Sequence, residues 1–377
     1  MNSSTQYKRI VVSVISDIVT DARVLKVCNY LHNKNNEVVL IGRKLKNSLP
    51  LPEYPFKVIR INTIFKKGII QYMEFTVKLW LHLFRYKTSI FVSNDLDTLL
   101  PNYLHSFFRR KVLVYDSHEF FTGVPELLNS PIRRNMWKLL EKILLPKIKY
   151  GYTVNESIQL LYKNLYGVNL KVVRNMPMYD VQKTITKINF DAEPFIINMQ
   201  GAGINKDRGY EEAIEAMQYL PNNFILQIIG DGTVLNDLKK QVEVLNLQSK
   251  VVFIPKVSPD ILKEYTKKAH LGLSLDKDIC TNSYFSLPNK LFNYIHAGVP
   301  VLASNLPEIK KIIEQYNVGI CINEVNAKNI ATAIVKLFKN KSTLELYNHN
   351  TEVAAKELCW QNEEKVLNSI YDDLIKA

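Results

Sequence analysis

The chain has 377 residues, 47% of them hydrophobic and 23% charged, proportions that exclude a disordered chain. A single core stops growing at roughly 250–300 residues, so this length predicts two. The net charge of +13 is lopsided: residues 1–190 carry 29 Lys and Arg against 13 Asp and Glu, and the remainder 20 against 23. The positive half points to an anionic partner, whether a membrane surface, a phosphorylated acceptor or nucleic acid.

The start, Met1–Tyr7, is polar, and the apolar run Ile10–Ile15 meets Ser16 and Asp17 at once. That run is too short for a secretory signal and reads as a first strand. Ile69–Val92 is the most apolar later window, but Glu74, Lys78, His82, Arg85 and Lys87 interrupt it, and a spanning helix needs about 20 mostly apolar residues. Cys28, Cys280, Cys321 and Cys359 lie far apart, without metal-ligand spacing or disulfide density, so a reducing cytoplasm is expected.

In chain order, strands are predicted at Arg9–Ile15, Glu37–Gly42, Lys57–Ile61, Ser89–Ser93, Lys111–Asp116 and Gly151–Asn155. Helical patterns fall between them at Asp21–Asn33, Tyr72–Phe84 and Ile132–Lys147. After a polar segment, Tyr179–Glu193, a second series follows: strands Phe195–Gln200, Phe224–Gly230, Lys250–Ile254, Leu271–Leu275, Val299–Ala303 and Gly319–Ile322. Its helices are Gly209–Met217, Leu235–Leu245, Pro259–Lys267, Lys290–His296, Glu308–Glu314 and Ala327–Lys339. Alternation of this kind predicts an α/β protein with two doubly wound, Rossmann-like domains facing across a cleft, at residues 1–180 and 190–345. Residues 346–377 read as closing helices, with Trp360 between two pieces, that end on the second domain or cross back to the first.

Three loops of the second half have the composition of an anion site. Gln200-Gly201-Ala202-Gly203-Ile204-Asn205-Lys206-Asp207-Arg208-Gly209 lies between a strand and a helix. Its glycines admit close backbone approach, and Lys206 and Arg208 suit a diphosphate. On its own the loop is equally well an ordinary turn. Gly230-Asp231-Gly232 ends another strand and by itself is a turn signal. The third is Ser286-Leu287-Pro288-Asn289-Lys290-Leu291-Phe292-Asn293. Pro288 fits a first helical turn, leaving free amides toward an anion, Lys290 adds charge, and Asn293 lies one turn on.

Taken together these loops resemble the retaining glycosyltransferases of the GT-B fold, family four. In the first half the resemblance rests on Thr20-Asp21-Ala22-Arg23, on Asn94-Asp95-Leu96-Asp97, on Tyr115-Asp116-Ser117-His118-Glu119 and on Arg174-Asn175-Met176-Pro177. It implies a nucleoside-diphosphate sugar as donor, held by Gly201, Gly203, Lys206, Arg208, Gly230, Asp231, Ser286, Leu287, Pro288, Asn289, Lys290 and Asn293, and a glycan or lipid-linked glycan as acceptor. It gives His118 and Asp116 to the catalytic site and Asp21, Arg23 and Asp95 to the acceptor side. It also implies that no metal or other cofactor is needed. One departure stands out: Asn293 occupies the position of the family's usual ribose-binding Glu. The amide replaces charge-assisted bonds of about 1.5–3 kcal/mol by neutral ones of about 0.5–1.5.

Bland readings stand beside these. His118 two residues past Asp116 suits a structural pair, Asp21 suits a helix cap, and Arg23 has both Asp21 and the cleft within reach. Asp95-Leu96-Asp97 has the D-x-D form of the metal-diphosphate motif in the other architecture, GT-A, but in the wrong half. In Pro131–Lys149, Arg133, Arg134, Lys138, Lys142, Lys147 and Lys149 stand against one acid, Glu141. The apolar stripe there, Ile132, Met136, Leu139, Leu140, Ile143 and Leu144, is either an ordinary core face or a peripheral membrane contact. The expected role is sugar transfer in surface polysaccharide or lipopolysaccharide synthesis at the inner face of the cytoplasmic membrane. A weakened GT-B scaffold serving as an activating subunit and a nucleotide-sugar epimerase are the alternatives. Nucleic-acid binding fits only the charge.

Overall fold

The computed structural model describes residues 8–376 apart from 47, 66–67 and 183–186, so the polar start lies outside the described residues. Two compact units emerge. One runs to Asn175 and resumes at Glu363, and the other is Met176–Asn362.

The first unit contains β1 (Arg9–Ser13), β2 (Glu37–Lys44), β3 (Lys57–Asn62), β4 (Ile90–Asn94), β5 (Val112–Ser117), β6 (Tyr150–Thr153) and β7 (Lys171–Val172). They form one parallel sheet in the order β3-β2-β1-β4-β5-β6-β7. Its central strands read as short, largely apolar runs because helices cover both faces; every residue of β4 is buried. On one face Phe75, Leu79 and Leu83 of the helix Gly68–Leu83 pack on Val11, Val39, Ile41 and Phe91.

The second unit repeats the scheme with β8 (Phe195–Gly201), β9 (Phe224–Gly230), β10 (Val251–Ile254), β11 (Leu271–Ser274), β12 (Val301–Ser304) and β13 (Gly319–Ile322). The order is β10-β9-β8-β11-β12-β13, again all parallel. One face is closed by the helices Tyr210–Ala216, Leu235–Val244 and Ala327–Lys339, and the other by Asn289–Ala297, Pro307–Tyr316 and Lys341–Glu357. Both orders place the reversal beside the first strand of the unit, and a loop that follows such a strand is where ligands bind in open sheets. Two doubly wound sheets of this kind are what the alternation of runs predicts.

Two departures from the sequence reading have physical causes. β7 has two residues, too few to show a pattern. The helix Asp95–Arg109 is hidden in the sequence because Pro101 lies inside it; that ring removes one helical hydrogen bond. Thr98 Oγ1 and Asn102 Nδ2 in turn bond the backbone carbonyls of Asn94 and Thr98, at 2.7 and 2.8 Å. The helix Trp360–Lys376 starts in the second unit, where the Trp360 amide donates to the Pro177 carbonyl at 2.8 Å. From Glu363 onward it belongs to the first, where Tyr371 lies 3.3 Å from the Tyr152 hydroxyl and Ser369 accepts from Lys171. Among the described residues no helix is long and apolar enough to cross a membrane.

The basic helix spans Pro131–Leu144 and buries Trp137, Glu141 and Leu144. Half of its expected stripe faces out, with Ile132, Leu139 and Ile143 exposed. Its one acid, Glu141, is fully buried, accepting from Thr122 Oγ1 at 2.8 Å and from Tyr166 Oη at 2.6 Å. Burial raises its carboxyl to about 6, against hydrogen bonds from Tyr166 and Thr122 that favour the charged form. A carboxyl raised from 4.5 to about 6 costs stability once ionised, about 2 kcal/mol in full by pH 7. Glu141→Gln should therefore unfold at a higher temperature than the parent at pH 7.5 and lose that advantage near pH 4.5, as read by calorimetry.

Candidate functional site

In the second unit, three loops meet beyond the carboxyl ends of β8, β9 and β11. Gly230 has φ +140°, and a Cβ there would lie 2.0 Å from the Gly201 carbonyl oxygen, so only glycine lets the first two loops touch. The Ile204 amide donates to the Asp231 carbonyl at 2.8 Å, and Thr233 donates to Asn205 Oδ1 at 3.0 Å. Gly209, at φ +78°, sits against the Leu275 backbone, which brings Arg208 beside the segment after β11.

That segment supplies Asp276, 1% exposed, and it organises the cations. Arg208 Nη1 donates to its Oδ1 at 2.7 Å, while Lys290 Nζ lies 3.0 Å from its Oδ2. Burial opposes the charge on Asp276, but Lys290 and Arg208 outweigh it and hold the carboxyl below its usual range. Lys290 is 10% exposed and Arg208 43%. Lys290 also lies 6.0 Å from the centre of the buried Tyr210 ring. The helix Asn289–Ala297 starts at Pro288 with no side-chain cap, so its first amides lack the usual partner and carry the positive end of the helix dipole. A buried carboxylate, two cations and an uncapped helix start together have the chemistry to hold a phosphate.

Asn293, one turn further, lines a pocket with Gln200, Leu262, Thr266 and Tyr179. Gln200 Oε1 accepts from Thr266 at 2.7 Å, and its amide nitrogen is buried without a hydrogen-bond partner among the described residues. An orphaned donor in a pocket marks a place that a ligand acceptor would satisfy.

In the first unit a second carboxylate does similar work. Asp116, at 0% exposure, accepts from Arg23 Nε and Nη2 at 3.0 and 2.7 Å, and Arg23 Nη1 donates to the Val173 carbonyl at 2.7 Å. His118 Nε2 lies 3.4 Å from Asp116 Oδ2 and 3.2 Å from Asn94 Oδ1. Its Nδ1 lies 3.3 Å from Asp95, and its backbone N–H donates to Asp95 at 2.8 Å. Burial would lower the His118 pKa, but Asp95 and Asp116 override it and raise it to about 10. Both carboxylates thus favour the protonated ring, a form that offers a hydrogen bond or a charge.

The contacts place each candidate residue of the first unit. Asp116 is fully buried and contacts Arg23 and His118. Arg23, expected on the acceptor side, is 4% exposed and holds Asp116. Asp21 caps the helix Ala22–Asn33, accepting from the Val24 amide at 3.2 Å and from Ser16 at 2.6 Å. Asp95, at φ +57°, joins the His118 cluster. Asp97 turns inward, where burial and then Asp95 push its carboxyl well up. Among the described residues no group of three or more His, Cys, Asp or Glu could hold a metal ion.

In the second unit Gly201, Gly203, Lys206, Arg208, Gly230, Asp231 and Ser286–Pro288 lie on the three loops, Lys206 being exposed, and Asn289 and Lys290 open the helix that follows the third. Pro288 precedes the helix instead of opening it. The motifs do not single out Asp276. Its only signal in the sequence is an acid directly after the apolar run Leu271–Leu275.

Residues 180–357 match the family model described as Glycosyl transferases group 1. The chitobiosyldiphosphodolichol beta-mannosyltransferase of Candida albicans is 21% identical over 267 residues, 65% of this chain and 58% of that protein. The chain thus spans well under two thirds of that relative. Sucrose-phosphate synthase from Thermosynechococcus elongatus superposes with a TM-score of 0.77 at 14% identity, covering 98% of this chain and 99% of that one. The Anabaena protein HepE, solved with UDP-glucose, gives 0.74 at 14% identity, with 96% and 100% covered. At these identities the likeness is one of fold, GT-B.

Two outcomes follow for the first unit. The stability that His118 contributes is complete below its ordinary value of 6.5 and lost as pH rises through about 10. Its ring resonances should show no inflection between pH 5.5 and about 8.5 in an NMR titration. Asp116→Asn leaves Arg23 buried without its anion and should cost about 3–5 kcal/mol in urea unfolding.

Proposed function

We propose that this chain, whose residues 180–357 match the glycosyl transferases group 1 family, moves a sugar from a nucleoside-diphosphate sugar to a hydroxyl of a glycan or lipid-linked glycan. The carrying observation is the cradle around Asp276, in which Arg208 and Lys290 are held from two loops beside an uncapped helix start. In the reaction the bond from the sugar's anomeric carbon to the diphosphate oxygen breaks, and its electron pair leaves with the phosphate. The acceptor oxygen bonds to that carbon, and its proton passes to the departing diphosphate. Charge grows on the leaving phosphate, and Arg208, Lys290 and the amides at 287–289 are the groups that stabilise it.

Proton transfer to the departing diphosphate makes this a retaining, same-face transfer, proposed without a metal. The uncharged Asn293 amide would accept from one ribose hydroxyl and donate to another. The HepE structure with UDP-glucose makes a uridine donor the first to try. Surface polysaccharide or lipopolysaccharide precursors at the inner face of the cytoplasmic membrane are the acceptors that suit a basic first unit.

The test is thermal unfolding against UDP, GDP, ADP, CMP and dTDP and their sugars, each with Mg²⁺ or with chelator. A ligand at 100 times its Kd adds about 2.7 kcal/mol. One nucleotide class should shift the transition equally with and without metal, and Arg208→Ala should remove the shift. No shift with any nucleotide, or one only with metal, contradicts the reading. Asn293→Glu should tighten the same nucleotide about fivefold, the worth of one charge-assisted bond over a neutral one.

A further inference from the structure

The helix Gly68–Leu83 in the first unit is apolar on two opposite sides. Phe75, Leu79 and Leu83 are buried on the inner side. Ile70, Met73, Val77, Leu81 and Phe84 recur every three or four residues on the outer side, each between 43% and 63% exposed. A surface helix normally has one apolar stripe, and a second on the water side signals another apolar phase. Ile64 and Phe65, 78% and 48% exposed, prolong the stripe at one end. At the other, Trp80 and Phe84 meet edge to face at 5.1 Å, and the Arg109 guanidinium lies 5.4 Å from the centre of the Phe84 ring. Phe107 and Phe108, 65% and 69% exposed, adjoin Arg109. Isolated exposed apolar residues are ordinary, whereas a contiguous run marks an interaction surface.

Charge says what covers it. Arg85, Lys87, Arg109, Arg110 and Lys111 are all exposed around the aromatic end. No Asp or Glu occurs between Glu74 and Asp95 or between Asp97 and Asp116. Glu74, the one acid of the helix, is committed to Lys78 at 2.6 Å and to the amides of Ile64 and Phe65. A second copy of the chain would bring two such cationic ends together. An anionic lipid surface matches both parts, with acyl chains for the stripe and headgroups for the cations.

We propose that the first unit docks on an anionic phospholipid membrane through the outer face of the helix Gly68–Leu83 and the Phe107–Lys111 turn. Met73, Val77 and Leu81 enter the acyl boundary, and Arg85, Arg109, Arg110 and Lys111 pair with headgroups. The basic helix Pro131–Leu144 is then secondary, because its exposed apolar residues are only Ile132, Leu139 and Ile143.

The full chain should co-sediment with vesicles of phosphatidylcholine and phosphatidylglycerol but not with phosphatidylcholine alone, and rising salt should weaken the binding. The triple variant Met73→Ser, Val77→Ser, Leu81→Ser should keep the parent's melting transition and lose about tenfold or more in partitioning. The variant Arg109→Ser, Arg110→Ser, Lys111→Ser should bind more weakly and with less salt dependence. Absence of binding by the parent, undiminished binding by the first variant, or a parent dimer that this variant dissolves would each overturn the proposal. The assay uses no sugar donor, so it stands or falls separately from the transfer reaction.

Discussion

The carboxylate of Asp276 accepts from Arg208 on one oxygen and faces Lys290 on the other, and neither cation is its neighbour in sequence. A carboxylate this buried is tolerated only if it is paired. The pairing therefore fixes where the two positive groups stand before any ligand arrives. The close approach of Gly230 to Gly201 and of Gly209 to Leu275 serves the same end, since the loops that carry these residues must touch for the cations to converge. A preset cluster of positive groups needs no rearrangement when negative charge develops on a leaving phosphate.

The first unit follows the same principle with a different result. Asp116 pairs with Arg23 and, together with Asp95, keeps His118 charged. In the second unit the buried acid holds two cations together. In the first it favours the protonated form of a histidine.

Much of the fold was legible in the sequence because parallel strands buried on both faces leave short, largely apolar runs, as in Ile90–Asn94 and Phe224–Gly230. The three loops that converge in the second unit were legible for a related reason: glycine, arginine and a helix start are local features. What escaped depends on contacts distant in sequence. Asp276 and the Arg23–Asp116 pair become visible only when strands far apart in the chain lie side by side. The outer stripe of Gly68–Leu83 was hidden because periodicity shows that a helix is apolar without showing how many of its faces are covered. Lys171–Val172 was too short to leave a trace.

The account rests on the diphosphate of a nucleotide sugar sitting in the cradle around Asp276. The most direct test is a crystal structure of the full chain with the nucleotide that stabilises it. The account predicts phosphate oxygens about 3 Å from the Arg208 guanidinium, the Lys290 ammonium and the amides at 287–289. A diphosphate bound elsewhere, or one bridged by a metal to Asp95 and Asp97, would contradict it.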